Sequence, residues 1–89
     1  EIPQNIDWVL QVDGHTDDQP ILPGSKFQNN WELSQARALA VVKFLISQLN
    51  IPADYLAANG FGEFQPVNTA NTVQARSQNR RIELKLTER

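Results

Sequence analysis

Residues 6–18 read IDWVLQVDGHTDD, and the fold turns on this stretch. Ile6, Trp8, Leu10 and Val12 alternate with Asp7, Val9, Gln11 and Asp13. A period of two over that length predicts a half-buried β-strand ending at Gly14. The chain then changes character. Residues 14–29, GHTDDQPILPGSKFQN, hold two prolines, two glycines and several Asp, Ser and Asn residues, which is loop chemistry. A loop of this length in a small domain points to a function or to disorder.

Downstream of the loop, Asn29 followed by Glu32 forms a capping-box pattern, with the Asn side chain accepting from a first-turn amide and the Glu reaching back. Trp31, Ala38, Val41, Val42, Leu45, Ile46 and Leu49 recur at three- and four-residue steps and predict an amphipathic helix to about Leu49, with Glu32, Gln35, Lys43 and Gln48 on its outer side. Ile51-Pro52 ends it. Residues 53–57 suit a single helical turn, 56–61 a short strand, 63–71 a loop and 72–79 a short polar helix with weak caps. Ile82, Leu84 and Leu86 alternate with Glu83, Lys85 and Thr87, predicting a last strand with one buried face. The order is β-α-β-α-β, an α+β chain folded as a two-layer α/β sandwich.

With 89 residues, one domain spanning 1–89 is expected. The absence of cysteine excludes a disulfide framework, and the absence of methionine suggests an excised or processed chain. An apolar content of 40% with 20% charge is that of an ordinary globular domain. The net charge of −2 argues against nucleic acid as a partner. Its distribution is uneven: Glu1, Asp7, Asp13, Asp17 and Asp18 precede any base, whereas Arg76, Arg80, Arg81, Lys85 and Arg89 crowd the C-terminal end. Folding that joins the two regions would make a site for a ligand carrying both signs of charge.

The densest polar cluster, Asp13 to Asp18, lies where the first strand meets the long loop, a common binding position in α/β sheets. Asp13, His15 and Asp17 at alternate positions suggest a metal-dependent hydrolase, but one His and no Cys fall short of the usual zinc donor set. His15 is instead expected to be a structural imidazole hydrogen-bonded to the loop. The serines lack a nucleophile elbow, and no phosphate-binding loop is present, so no catalytic residue and no cofactor are assigned. Arg37, flanked by Ala36 and Ala38, is expected to converge with Asp17 and Asn30 on one concavity. An acid, an amide and a guanidinium suit a zwitterion, because the carboxylate accepts an ammonium and the planar guanidinium grips a carboxylate at two points.

Four blocks in order, Gly14-His-Thr-Asp17, Asn30-Trp-Glu-Leu-Ser-Gln-Ala-Arg37-Ala38, Gly60-Phe-Gly-Glu-Phe-Gln-Pro66 and Asn79-Arg-Arg-Ile-Glu83, closely resemble the OmpA-like peptidoglycan-binding domain. Asp18-Gln-Pro-Ile and the long loop look more like its MotB branch, found in flagellar stators. The resemblance implies a non-catalytic module that anchors a membrane-tethered envelope protein to peptidoglycan through the diaminopimelate of the stem peptide. By that resemblance Asp17 receives the ammonium and Arg37 the α-carboxylate, Thr16, Asn30, Leu33 and Ser34 shape the pocket, and Arg80 adds to it. It further implies the periplasm of a Gram-negative bacterium. A full family domain begins with a further strand and helix, which this chain lacks. An uncovered sheet edge would favour a homodimer or higher oligomer. A pure oligomerisation module with a vestigial pocket is the remaining alternative.

Overall fold

A computed structural model describes residues 7–88. Along the chain run β1 (Trp8–His15), α1 (Asn30–Leu49), a 3₁₀ turn (Ala53–Tyr55), β2 (Leu56–Gly60), α2 (Val73–Asn79) and β3 (Arg81–Glu88). Ile6, the first residue of the expected alternation, lies outside the described residues. β1 is central in a three-stranded sheet of order β2-β1-β3, parallel to β2 and antiparallel to β3. The expected α+β sandwich with its β-α-β-α-β order is the architecture observed.

α1 starts as its sequence dictates. The Asn29 side chain accepts from the Glu32 amide at 2.9 Å, while Glu32 reaches one residue further back than a standard box, to the Gln28 amide at 3.0 Å. Asn50, in the left-handed conformation at φ 57°, closes the helix before Pro52 can. α2 is better capped than its sequence promised, since the Thr72 hydroxyl accepts from the Ala75 amide at 3.0 Å.

The core is small: Val12 from β1 and Ala38 and Val42 from α1, flanked by Val41, Leu45, Leu56 and Ala58. Two glycines bring α1 onto the sheet. Gly14 and Gly60 are register partners on β1 and β2. A Cβ on Gly14 would lie 2.2 Å from the Ser34 carbonyl oxygen, and one on Gly60 would lie 2.6 Å from the Gln35 amide nitrogen. Only side-chain-free residues permit that approach, which fixes the first turns of α1 over the ends of both strands.

Two expectations about burial fail. Leu84 and Leu86 are 57% and 69% exposed, so β3 has no buried apolar face among the described residues. α1 packs over β1 and β2 and leaves the β3 side uncovered. The stripe on α1 is likewise narrower than its periodicity suggests, because Trp31, Ile46 and Leu49 are exposed. The opposite face of β1 is more enclosed than alternation predicts. Asp13 is buried, accepting from the Asn59 amide at 3.0 Å and pairing with Lys85 at 3.3 Å. His15, 2% exposed, stacks on Phe61 at 5.2 Å, and neither ring nitrogen has a hydrogen-bond partner. The expected hydrogen bond from His15 to the loop is therefore not formed; ring stacking holds the imidazole instead.

Candidate functional site

The site forms where β1 ends, β3 begins and α1 starts. The Thr16 amide donates to the Gly62 carbonyl at 2.9 Å, tying the end of β1 to the turn after β2, and its hydroxyl donates to the Asp17 carbonyl at 2.9 Å. Thr16 is buried, so it acts as scaffold. Asp17 then folds the chain back on itself: one carboxylate oxygen accepts from the Gln19 amide at 3.0 Å, an Asx turn. The other accepts from the Arg80 guanidinium at 2.7 Å. The acid-rich N-terminal region and the base-rich C-terminal region thus meet through these two residues.

Asn30 organises the loop. Buried at the first position of α1, its amide nitrogen donates to the carbonyls of Gln19 at 3.1 Å and Asp17 at 3.4 Å and to the Glu63 carboxylate at 3.1 Å. Ser34, one turn later and fully buried, accepts from the Gly62 amide at 2.9 Å. Gly62 itself turns the chain at φ 64°. Asn79 holds the facing loop, accepting from the amides of Val67 at 2.8 Å and Asn68 at 3.2 Å while donating to the Asn68 carbonyl. Between these supports lies a polar cavity of about 160 Å³ lined by Asp18, Glu63, Asn68, Thr69 and Asn79. On the other side of Asn30 the long loop builds a second cavity of about 350 Å³ from Pro20, Ile21, Leu22 and Phe27 against Leu33. The loop is therefore seated on the N-terminal end of α1.

The structure joins Asp17 to Asn30 and Arg80, but not to Arg37. Arg37 is exposed and forms no hydrogen bond or ion pair among the described residues. Asn30, Leu33 and Arg37 follow a three-then-four spacing, so they share one face of α1, with Arg37 about 10 Å along the axis from Asn30. Arg81 turns away, bonding Glu83 and the Gln65 carbonyl. Glu63 and Asn79 fall inside the blocks 60–66 and 79–83, but nothing in their local sequence announces their contacts, because their partners lie in other segments of the chain.

Asp13 and His15 belong to a different surface from Asp17. Asp13 faces Asn59 and Lys85, and His15 lies 4.0 Å from Glu83. No group of three metal-ligating side chains gathers among the described residues. Burial, followed by the nearby Arg81, holds the His15 imidazole below its ordinary pKa, against the opposing pull of Glu83 and Asp13. The Arg81 hydrogen bond holds Glu83 below the usual carboxylate range.

The OmpA family model matches residues 2–80. The chain belongs to the OmpA family. Among its relatives, Motility protein B of Bacillus subtilis is 42% identical over 73 residues, covering 82% of this chain and 28% of that protein. The Peptidoglycan-associated lipoprotein of Pseudomonas aeruginosa is 38% identical over 74 residues, covering 83% of this chain and 40% of that protein. The crystallised C-terminal domain of Helicobacter pylori MotB, residues 125–256, superposes with a TM-score of 0.85 at 28% identity, covering 99% of this chain and 64% of that one. The OmpA-family chain thus spans well under half the length of these two curated relatives, and MotB proteins figure both in its sequence matches and in its structural matches. No helix among the described residues is long and apolar enough to cross a membrane.

Proposed function

We propose that this OmpA-family chain is a non-catalytic module that binds peptidoglycan through the diaminopimelate of the stem peptide and anchors a membrane-tethered parent protein of the MotB type to the wall. The parent would sit in the cell envelope and meet the wall from the periplasmic side. The observation that carries the reading is the Asp17–Arg80 pair, 2.7 Å apart beside a polar cavity, with Arg37 unpaired on the Asn30 face of α1. Before ligand arrives, acid and base neutralise one another. A zwitterion entering the cleft offers Asp17 an ammonium and offers the guanidinium groups a carboxylate, replacing one ion pair by two. The relatives support the polymer: one is named a peptidoglycan-associated lipoprotein, and a structural match with a TM-score of 0.77 is described as the cell wall anchor of a Pseudomonas aeruginosa secretion system.

Each charge-assisted contact contributes about 1.5–3 kcal/mol, offset by the cost of ordering a flexible peptide. A single site therefore binds weakly, and repeated sites on one polymer add through effective concentration. Lysine lacks the second carboxylate of diaminopimelate and leaves one guanidinium unpaired, so diaminopimelate-type walls are preferred. Pull-down with sacculi tests the proposal. Asp17→Ala and Arg37→Ala should each weaken capture, and a stem tetrapeptide with diaminopimelate at its third position should compete where the lysine-containing tetrapeptide does not. Unchanged capture by both variants would remove the cleft from the account.

A further inference from the structure

The helix periodicity places Trp31 in the buried stripe, yet its side chain is 55% exposed. Phe64, 60% exposed, packs against it with ring centroids 4.7 Å apart and planes 32° apart. Beside them opens a groove of about 680 Å³ lined by Lys26, Phe27, Trp31, Glu32, Gln35 and Gly60. Trp31 and Phe64 thus form an exposed aromatic pair, and Trp31 shares the groove wall with the half-buried Phe27, while the small core of the protein does without them. Isolated exposed apolar residues are ordinary, but a contiguous cluster marks a contact site.

We propose that this groove is a second binding site, which takes the sugar rings of the wall glycan while the Asp17 cleft takes the stem peptide. The proposal rests on the wall-binding reading for the identity of the polymer. A pyranose ring has an apolar face of C–H bonds and a rim of hydroxyl and acetamido groups, and the groove offers the complement of each. Trp31 and Phe27 supply ring faces and edges. The rim is polar and of mixed charge. Lys26 carries its ammonium 5.4 Å from the Phe27 ring centroid. Gln35 donates to the Ala58 carbonyl at 3.1 Å, leaving its side-chain oxygen to accept from an acetamide N–H. Glu32 uses one oxygen on the Gln28 amide, which leaves the other for a hydroxyl. A protein-binding groove would instead want an apolar centre depleted of charge.

The groove and the peptide cleft lie on either side of two neighbouring contacts. Asn30 bonds Glu63 at 3.1 Å on the cleft side, and their sequence neighbours Trp31 and Phe64 meet on the groove side. A polymer whose sugars bear its stem peptides can occupy both surfaces of that ridge at once.

The test uses peptide-free glycan strands of alternating N-acetylglucosamine and N-acetylmuramic acid, with tryptophan emission as readout. Trp8 is buried and stacked on Tyr55 at 4.6 Å, so a saturable change reports Trp31. The wild type should respond. Trp31→Ala and Phe64→Ala should lower glycan affinity at least tenfold by calorimetry while keeping competition by the diaminopimelate tetrapeptide, and Asp17→Ala should do the reverse. Phe64→Ala, on an exposed loop, keeps the test valid if Trp31→Ala does not fold. Equal glycan binding by wild type and both aromatic variants overturns the proposal. So does the absence of glycan binding alongside Asp17-dependent capture of sacculi, a result that leaves the peptide site standing. Absence of both kinds of binding ends the wall-binding reading as well. A Trp31 emission change driven by protein concentration alone would assign the groove to self-association and likewise overturn the proposal.

Discussion

The Asp17 carboxylate and the Arg80 guanidinium stand 2.7 Å apart, joining the second residue after β1 to the residue just before β3. Under the proposed function, Arg80 is in contact with the acid that would receive the ligand ammonium. In the proposed cleft the ligand carboxylate meets the guanidinium groups, so Arg80→Ala and Arg37→Ala should each take one guanidinium away from it. Each should weaken stem-peptide binding by about 1.5–3 kcal/mol, roughly ten- to a hundredfold, measured by calorimetry with a diaminopimelate-containing peptide. Arg81→Ala should change binding little, since Arg81 is engaged with Glu83 and Gln65.

Asn30 is a structural keystone of the loop. Asn30→Leu removes the donor to two loop carbonyls and to Glu63. Leaving such acceptors unsatisfied costs about 1–3 kcal/mol. Denaturant unfolding should show that loss, and amide exchange should accelerate over residues 17–22.

Gly14 and Gly60 set the height of α1 over the sheet. Gly14→Ala drives a methyl against the Ser34 carbonyl, which is backbone and cannot rotate away. Overpacking of this kind costs about 1–3 kcal/mol. The expected result is a lowered Tm together with weakened sacculus capture, because Ser34 and Asn30 shift with the helix.

His15 makes stability depend on pH. Its folded pKa lies below the ordinary 6.5 because burial disfavours the imidazolium. Between the folded value and 6.5 the unfolded chain binds more protons, so stability is at its full value above 6.5 and declines as pH falls through that window. His15→Phe, which retains a ring to stack on Phe61, should flatten the dependence of Tm on pH immediately below 6.5. The decline as pH falls below 4.5, where the unfolded chain takes up a proton before the Arg81-bonded Glu83 of the folded chain does, should survive the substitution.

The exposure of β3 gives a contrast in cost. Leu86→Thr should alter unfolding free energy by less than about 0.5 kcal/mol. Val12→Ala, in the centre of the core, should cost about 1.5–3 kcal/mol.

Local patterns in the chain carried most of the fold. The alternation through Val12, the Asn29 cap and the run from Ala38 to Leu45 each depend on neighbours within a few residues, and each element formed where its pattern stood. What the patterns could not carry was which faces meet. Trp31, Leu84 and Leu86 have the spacing of buried residues and are exposed, because burial depends on the placement of α1 over β1 and β2 and not over β3. The site divides in the same way. The meeting of Asp17 with Asn30 at the start of α1 follows from the return of the long loop, whereas Thr16, Leu33 and Ser34 come only with the family resemblance. The Asp17–Arg80 contact closes a separation of 63 residues, and the Asn30–Glu63 contact one of 33. No local periodicity encodes either, whereas the return of the long loop to the start of α1 makes Arg37 the expected partner of Asp17.

The antiparallel pairing of β1 with β3 runs through eight register pairs, from Trp8 opposite Glu88 to His15 opposite Arg81. Asp17 and Arg80 extend from the same end of that ladder. Tension applied through a ligand gripped by both residues would therefore enter two strands that are already bonded along their whole length, and would draw their ends together instead of peeling one from the other. In the proposed anchor the load would fall on the sheet, and the loop from 18 to 29 would bear little of it.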